Sequence, residues 1–330
     1  MDATILGHIK AVYYPILAVF GIPANLLTIV TLTRGKRGLS KCISRYLLAM
    51  AVADLMVLIV NIIFTQIKDI HFPASFLDYT PICSFIFVLS VDANDCSVWL
   101  TVVFTIDRFI AICWQKVGAK YCTKKTAAMV IMLVYMFSFS LNSGFYFIFE
   151  AAETIDNIQL FCIIKSAFYT SPVWMTYYWL RTILTPFIPF VLISLLNTLT
   201  IRHITRATRV RRELLGSGKG TCQSDPETEN RRKSIVLLLT ISGSFIILWA
   251  VNLLYKISVI LTDATLIHGD DTDPLTILGE TGFKLQSLSS CTNTVIYAVA
   301  QNKFRAEMTI LIKSPFIRTK TLINVCLKNT

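Results

Sequence analysis

The sequence predicts an all-α membrane protein built as a seven-transmembrane helix bundle. Of its 330 residues, 54% are hydrophobic and only 15% are charged, whereas soluble domains carry about 25% charged residues. Seven apolar runs are long enough to cross the hydrocarbon core of a bilayer, which needs ~20 helical residues. These runs cover about residues 12–33, 46–67, 83–114, 126–149, 174–203, 234–261 and 276–300.

The charges of the connecting loops indicate the orientation. Loop 34–45 carries arginine and lysine and loop 115–125 carries four lysines, both without any acid, and loop 204–233 is rich in arginine and lysine. The alternate loops are acidic, as Glu150 and Glu153 illustrate. Because cytoplasmic loops are the basic ones, we expect a multi-pass plasma-membrane protein with its N-terminus extracellular and its C-terminus cytoplasmic. The net charge of +11 therefore reflects topology, and we expect no nucleic-acid partner.

The chain divides into four segments by this topology. Phe304, Met308 and Leu311 recur at helical spacing with basic residues between them, which predicts a short amphipathic eighth helix lying on the inner face of the lipid bilayer. The expected segments are an extracellular N-terminus at 1–11, the transmembrane domain at 12–300, the amphipathic juxtamembrane helix at 301–313 and a cytoplasmic tail at 314–330.

The same topology separates the nine cysteines. Only Cys83 and Cys162 fall on the oxidising side, because the others lie within spans or face the reducing cytoplasm. We predict that these two residues form a disulfide that fixes loop 150–173 to the outer end of the third span. The alternative is that both remain free thiols.

Several polar side chains lie inside the predicted spans. Asp54 stands in the middle of the second span, Ser97 in the third, and Ser289 and Asn293 in the seventh. Ionisable groups within a membrane are costly and tend to mark function. In a single bundle these residues can converge, and a carboxylate with neutral oxygens would suit a sodium ion as an allosteric modulator. A buried water network is the alternative, and we expect no other cofactor.

The third span ends in the triplet Asp107-Arg108-Phe109. An arginine stays charged at any physiological pH, so Arg108 is a fixed positive charge at the inner mouth of the predicted bundle. One interpretation is a conformational switch in which Asp107 and Arg108 act together. The other is an ordinary interfacial arginine whose charged head reaches the water layer.

Several motifs occur in order along the chain: GIPANL at 21–26, LAMAVAD at 48–54, Cys83, Trp99, the Asp107-Arg108-Phe109 triplet, Pro189 in the fifth span, FIILW at 245–249 and NTVIY at 293–297. This ordered series resembles the rhodopsin class (class A) of G-protein-coupled receptors over about residues 12–312, with Pro189 resembling the fifth-span proline of that class. More narrowly, TIDR at 105–108, LWA at 248–250 and a seventh-span motif without proline resemble the orphan peptide-type receptors around G-protein coupled receptor 139.

The resemblance implies a mechanism. A ligand that enters from outside biases a two-state bundle toward a conformation that opens the cytoplasmic face. The implied partners are a heterotrimeric G protein, for which loop 204–233 would help form the surface, and arrestin. The implied switch residues are Asp107, Arg108, Phe245, Trp249, Asn293 and Tyr297.

The sequence also departs from the family pattern. Val251 and Thr294 occupy positions where the sixth and seventh spans usually carry proline. Proline interrupts the backbone hydrogen bonds of a helix and acts as a hinge, so we expect a straighter sixth helix and an altered switching barrier. Asn197 replaces a fifth-span tyrosine that commonly stabilises the active state. These departures are compatible with high basal activity of the receptor and also with weak coupling to G proteins.

The outer half of the bundle indicates the class of ligand. Ser90 stands where amine receptors have an aspartate, and Ser287 where opsins have the retinal lysine, so amine and retinal ligands are disfavoured. The pocket residues that we expect are Ser90, Asn94, Asp95, Arg181, Asn252, Lys256, Phe283 and Ser287. This set suits a short peptide or amino-acid-like ligand with a carboxylate on Arg181 or Lys256. Alternatively, Asp95 and Arg181 pair to hold the third and fifth spans together.

Three functional classes remain to be compared. The sequence contains no HExxH, GxSxG or phosphate-binding loop motif, so we expect no enzyme. A cell-surface receptor that binds an extracellular ligand and activates G proteins is the preferred interpretation. The alternatives are a non-signalling decoy or chemosensory receptor of the same fold, and a transporter or channel.

Overall fold

The computed structural model forms a helical bundle. Six of its described helices are long and apolar enough to cross a bilayer. The middle of loop 204–233 and the expected cytoplasmic tail at 314–330 lie outside the described residues. The structure describes residues 5–34, 40–72, 75–155, 158–215, 226–262, 273–302, 304–311 and 313.

Four of the seven spans are regular helices along their whole length. The seventh span is the least apolar of these four. It is long enough at 27 residues, but Glu280, Lys284 and several hydroxyl groups interrupt its apolar run. It nevertheless packs beside the sixth span along much of its length. The regular spans are the first, Ile5–Arg34, the third, Thr80–Cys113, the sixth, Pro226–Thr262, and the seventh, Pro274–Ala300.

The other three spans change helix type along their length. The fifth is kinked at Thr185, whose φ of −148° and ψ of 113° are not helical, directly before Pro186. Pro189, the proline that matches the family pattern, lies in the regular helix beyond the kink. The second span comprises Lys41–Met56, a π-helix at Val57–Ile67 and Lys68–His71; the fourth comprises Lys124–Asn142 and a 3₁₀-helix at Ser143–Ile148; the fifth comprises Pro172–Thr182, Ile183–Phe187 and Ile188–Leu215.

The N-termini of three spans are fixed by side-chain caps. Ser40 accepts a hydrogen bond from the backbone N–H of Ile43, and Thr123 and Asp273 do the same for the fourth and seventh spans, each at 3.2 Å. Such caps satisfy backbone donors that the first helical turn leaves free. The boundaries of these spans therefore follow from local sequence.

The first span begins earlier than the sequence predicts. Its helix starts at Ile5, so residues 5–11 of the expected extracellular N-terminus belong to the span. The apolar pattern breaks at Lys10, but the Nζ of Lys10 lies 2.7 Å from the Oε1 of Glu280 on the seventh span. An ion pair between helices thus supports a turn that hydropathy alone does not identify.

A β-hairpin covers the outer end of the bundle. Strand β1, Phe149–Ile155, pairs antiparallel with strand β2, Ile158–Ile164. The predicted disulfide between Cys83 and Cys162 is confirmed and joins β2 to the third span. The sequence does not predict the hairpin itself.

The remaining short helices lie in the connections and after the seventh span. Residues 304–311 are helical, and Phe304 is buried with its ring centroid 6.0 Å from that of Tyr297. This contact attaches the last described helix to the inner end of the bundle. The connecting helices are Phe76–Asp78, Gln115–Tyr121 and Ser166–Thr170.

We predict that removing the disulfide loosens the outer face. A crosslink between residues 79 positions apart restricts the unfolded chain, which in the chain-entropy account is worth about 4 kcal/mol. Cys162→Ser should lower the melting temperature of the purified protein in detergent, and dithiothreitol should destabilise the wild type but not Cys162→Ser. Cys291→Ser is the matched control, because Cys291 is a free cysteine whose replacement leaves the disulfide in place. Equal melting temperatures for wild type and Cys162→Ser would contradict the prediction.

Candidate functional site

A cavity of about 620 Å³ opens beneath the β-hairpin at the outer end of the bundle. Phe149 and Phe161 of the hairpin form part of its wall, and Trp249 of the sixth span also borders it. Seven of the eight residues that the sequence predicts for a ligand pocket line this cavity, namely Ser90, Asn94, Asp95, Arg181, Asn252, Lys256 and Phe283.

Ser287 is the predicted pocket residue that does not line the cavity. Its side chain is 1% exposed, and its hydroxyl donates to the Phe283 carbonyl at 2.9 Å. Gln286 borders the cavity instead. Successive residues of an α-helix point about 100° apart, so an uncertainty of one position in the helix rotation is enough to exchange these two residues.

A buried ion pair joins three spans beside the cavity. Nη2 of Arg181 lies 3.0 Å from Oδ1 of Asp95, and Asp95 is 1% exposed. Asn142 of the fourth span donates to Asp95 and accepts from the Nε of Arg181, both at 2.9 Å. The pairing that the sequence leaves as an alternative is therefore present, with both residues also lining the cavity. The sequence does not identify Asn142.

A chain of amide side chains crosses the cavity between three spans. Asn252 donates to Gln286 at 2.8 Å, Gln286 donates to Asn94 at 2.8 Å, and Asn94 donates to the Ser90 carbonyl at 2.8 Å. Gly282 permits the approach, because a Cβ there would lie 2.8 Å from the Cα of Asn252. Side-chain hydrogen bonds of this kind fix the relative rotation of the sixth and seventh spans.

A second charged group at the cavity comes from the outer end of the second span. Lys68 pairs with Asp78 and with Asp69, and all three residues line the cavity. The sequence analysis of the spans does not identify them. The sequence feature that could have identified these three residues is the group of charged residues just beyond the apolar run at 46–67.

Trp249 connects the cavity to the interior of the bundle. Its ring stacks on Phe245 with centroids 5.2 Å apart, and its Nε1 donates to the Ser289 hydroxyl at 3.2 Å. Ser289 in turn donates to the Gln286 carbonyl at 2.6 Å. Ser289, predicted as an oxygen near Asp54, thus interacts with Trp249.

Asp54 is fully buried beneath this layer. Ser97 donates to its Oδ1 and Asn293 to its Oδ2, each at 2.7 Å. None of the ion pairs among the described residues includes this carboxylate. Farther inward, Tyr297 is fully buried with its hydroxyl 4.0 Å from the sulfur of Met50.

The inner end of the third span carries a second ion pair. Arg108 is bound to Asp107, with its Nε 3.1 Å from Oδ2. The Cys42 thiol donates to Oδ1 of Asp107 at 3.4 Å, and the Cys122 thiol donates to the Asp107 carbonyl at 3.5 Å. Because Asp107 and Arg108 are buried, the charges of this motif face one another rather than water.

Two departures from the family pattern form contacts between helices. Asn197 donates to the Ser242 hydroxyl at 2.8 Å and accepts from it at 3.0 Å, which joins the fifth and sixth spans. Thr294 shares a buried hydrogen bond of 2.8 Å with Thr28, which joins the seventh span to the first. Hydrogen bonds stand where the family usually has a tyrosine and a proline.

Comparison with protein families identifies the family to which this fold belongs. Residues 24–297 match the model of the 7 transmembrane receptor (rhodopsin family). The matched region covers more than half of the chain, and the protein therefore belongs to the rhodopsin family of seven-transmembrane receptors. The broader resemblance found in the sequence is confirmed, whereas the narrower one stays a prediction.

Individual relatives are similar at low identity. The chain is 26% identical to the FMRFamide receptor of Drosophila melanogaster over 62% of this chain and 39% of that protein. It is 30% identical to the thyrotropin-releasing hormone receptor of Homo sapiens over 47% of this chain and 39% of that protein. It is 23% identical to growth hormone secretagogue receptor type 1 of Oryctolagus cuniculus over 92% and 81%, respectively. The chain spans less than two thirds of the length of the first two.

We predict that Asn197 and Ser242 are energetically coupled. Hydrogen bonds between membrane helices contribute about 0.6 kcal/mol on average and up to about 1.7 kcal/mol. A double-mutant cycle of Asn197→Leu and Ser242→Ala, measured by unfolding in sodium dodecyl sulfate, should give a coupling energy in this range. Thr240→Ala, which removes only an exposed bond to its own helix, should be additive with Asn197→Leu. Additivity of the first pair would contradict the prediction.

Proposed function

We propose that the protein is a cell-surface receptor that binds an extracellular ligand in the outer cavity and activates heterotrimeric G proteins. The observation that carries this proposal is a succession of three polar groups along one bundle. They are the cavity wall at Trp249, the buried group around Asp54, and the ion pair of Asp107 and Arg108. An outer binding site and an inner charged switch are the two parts that such a receptor needs.

The ligand that we propose is a short peptide or an amino-acid-like molecule. Mixed charge, amide groups and aromatic rings line the cavity, and few convergent polar groups in an aromatic pocket suit such ligands. Two of the related proteins are named as receptors for FMRFamide and for thyrotropin-releasing hormone. Both names support a peptide ligand.

In the proposed mechanism, ligand binding displaces Trp249 against Phe245, and Asn293 and Tyr297 relay the shift. Arg108 then leaves Asp107 and contacts the G protein at the opened inner face. A ligand shifts such an equilibrium only by its difference in affinity for the two states. Arrestin would use the same opened face.

The proposed location is the plasma membrane, with the N-terminus extracellular and the C-terminus cytoplasmic. Basic loops on one side and the disulfide on the other support this orientation. Arg34 and Lys124 mark the basic side, whereas Cys83 and Cys162 mark the oxidising side.

A decoy receptor is the second candidate, and the two missing prolines favour it. The sixth span is one helix of 37 residues that continues through Val251. Thr294 is bonded to Thr28 where a hinge would lie. A bundle held this way would change conformation less readily. A transporter or channel would instead need a path past the stacked rings of Phe245 and Trp249.

A sodium ion near Asp54 is proposed as an allosteric modulator. Among the described residues, no group of three or more histidine, cysteine, aspartate or glutamate side chains could hold a metal, so a cation here would depend on one carboxylate and neutral oxygens. Asp54, Ser97 and Asn293 fit such a site because they meet around a fully buried charge. The ion would supply positive charge to that carboxylate.

We predict that Arg108→Ala abolishes G-protein activation. Without the guanidinium group, the inner face loses its contact for the G protein, while the outer cavity is unchanged. The measurement is basal and ligand-stimulated activation across the Gα families in cells, with surface expression quantified in parallel. Arg34→Ala, an exposed arginine at the inner end of the first span, should signal as the wild type. Activation that persists in Arg108→Ala would contradict the proposed switch, and silence of the surface-expressed wild type would favour the decoy.

We also predict that sodium stabilises the protein through Asp54. The melting temperature in detergent should be higher in sodium chloride than in choline chloride at equal ionic strength, because the ion compensates a buried charge. Asp54→Asn should remove this difference. Asp107→Asn is the control, since Arg108 already neutralises Asp107, and it should retain the sodium effect. The same sodium effect in Asp54→Asn would refute the site.

A further inference from the structure

Three cationic side chains and three aspartates line the outer cavity, but they do not pair one to one. Arg181 is paired with Asp95, and Lys68 is paired with two aspartates. Lys256 borders the same cavity but forms no ion pair within the described part of the chain. The three aspartates of the lining are thus all engaged by other cations, and the ammonium group of Lys256 has no carboxylate partner among the described residues at the cavity.

The amide chain across the cavity also ends without a partner. Its donors all point in one direction, from Asn252 to Gln286 and from Gln286 to Asn94. At the other end, the Oδ1 of Asn252 is a buried acceptor for which the described residues supply no donor. Asn252 is 6% exposed. A buried acceptor left unpaired is costly, and a donor at this end would polarise and strengthen the whole chain.

These two groups lie one helical turn apart. Asn252 and Lys256 are four residues apart on the sixth span and therefore share a face, with their Cβ atoms about 6 Å apart. Both border the cavity. A ligand that satisfies both must present an anion and a hydrogen-bond donor on neighbouring groups.

We propose that the cavity recognises a carboxylate and an amide N–H attached to the same carbon, as in an N-acylated amino acid or the free C-terminus of a short peptide. The carboxylate pairs with the ammonium group of Lys256, and the amide N–H donates to the Oδ1 of Asn252. This proposal rests on the receptor function proposed above and assigns the ligand class. Arg181, the other cation considered from the sequence, is already committed to Asp95.

The carbon that bears the carboxylate and the amide N–H also bears the side chain of the ligand's terminal amino acid. In the cavity this side chain meets an aromatic environment. Rings contribute much of the apolar lining of the cavity, and edge-to-face contacts between rings add to the energy of burial. An aromatic side chain on the terminal amino acid suits this lining. The rings belong to Phe64, Phe87, Phe149, Phe161 and Phe283.

The test uses three matched probes on the purified full-length protein: N-acetyl-L-phenylalanine, its carboxamide, and N-acetyl-N-methyl-L-phenylalanine. The carboxamide lacks the negative charge, and the N-methyl compound lacks the N–H donor. Binding is measured by isothermal titration calorimetry. We expect the first probe to bind about tenfold or more tightly than either of the others, because each change removes one directed interaction.

Variants assign the two interactions to their residues. Lys256→Gln should remove the preference for the acid over the carboxamide, while Lys256→Arg, which keeps the charge, should retain it. Asn252→Leu should remove the preference for the N–H compound over its N-methyl form. Lys165→Gln is the matched control, because it deletes the same charge at a lysine that bonds the Phe147 carbonyl outside the cavity. It should bind all three probes as the wild type does.

Equal affinity of the wild type for acid and carboxamide would overturn the proposal, and so would a failure of all three probes to bind. An acid preference that survives in Lys256→Gln would overturn it as well. The Arg108→Ala variant distinguishes this test from that of receptor function, since it should keep both preferences. Probe binding with both preferences in a chain that activates no G protein would support the assigned site and refute only the signalling function.

Discussion

Hydrocarbon offers no hydrogen-bond partner, so the polar groups inside the bundle must satisfy one another. The structure meets this constraint in layers. The outer layer joins Asp95 to Arg181, the middle one surrounds Asp54, and in the inner one Asp107 is bonded to Arg108 of its own helix and to Cys42 of the second span. Removing one partner of a buried pair leaves an uncompensated charge and costs about 3–5 kcal/mol. The relative positions of the spans therefore depend on these polar contacts more than on apolar packing against lipid.

The third span belongs to every layer, which explains its central place in the bundle. Asp95, Ser97 and Arg108 project from this one helix, and the 13 positions between the first and the last correspond to ~20 Å. Its outer end is also fixed to β2 by the Cys83–Cys162 disulfide. In the mechanism proposed above, this helix is the element that would carry a shift of the cavity wall to the inner charge.

Features that depend on composition are predictable from the sequence, whereas features that depend on helix rotation are not. The number of spans and the disulfide follow from apolar runs and loop charges. The exchange of Ser287 for Gln286 at the cavity follows from a rotation of one position, which hydropathy does not report. The sequence alone leaves two alternatives for Arg181, which are ligand binding and pairing with Asp95. Only the packing of the spans shows that the pair forms. The fifth span has two nearby prolines, Pro186 and Pro189, and the kink lies directly before Pro186. The presence of proline in the sequence does not specify at which of the two the helix is interrupted.

The sixth span gives the molecule a mechanical property that a hinged helix would lack. With 37 residues and no internal proline, it is a rod of ~55 Å, longer than the hydrocarbon core of about 30 Å. Such a rod has no proline hinge at Val251, so a motion of the sixth span would be that of a lever. A tilt of ~10° about its outer end would carry its inner end by about 10 Å at that length. Displacement at the inner end would then scale with helix length, and shortening the rod there would reduce the displacement without changing the cavity.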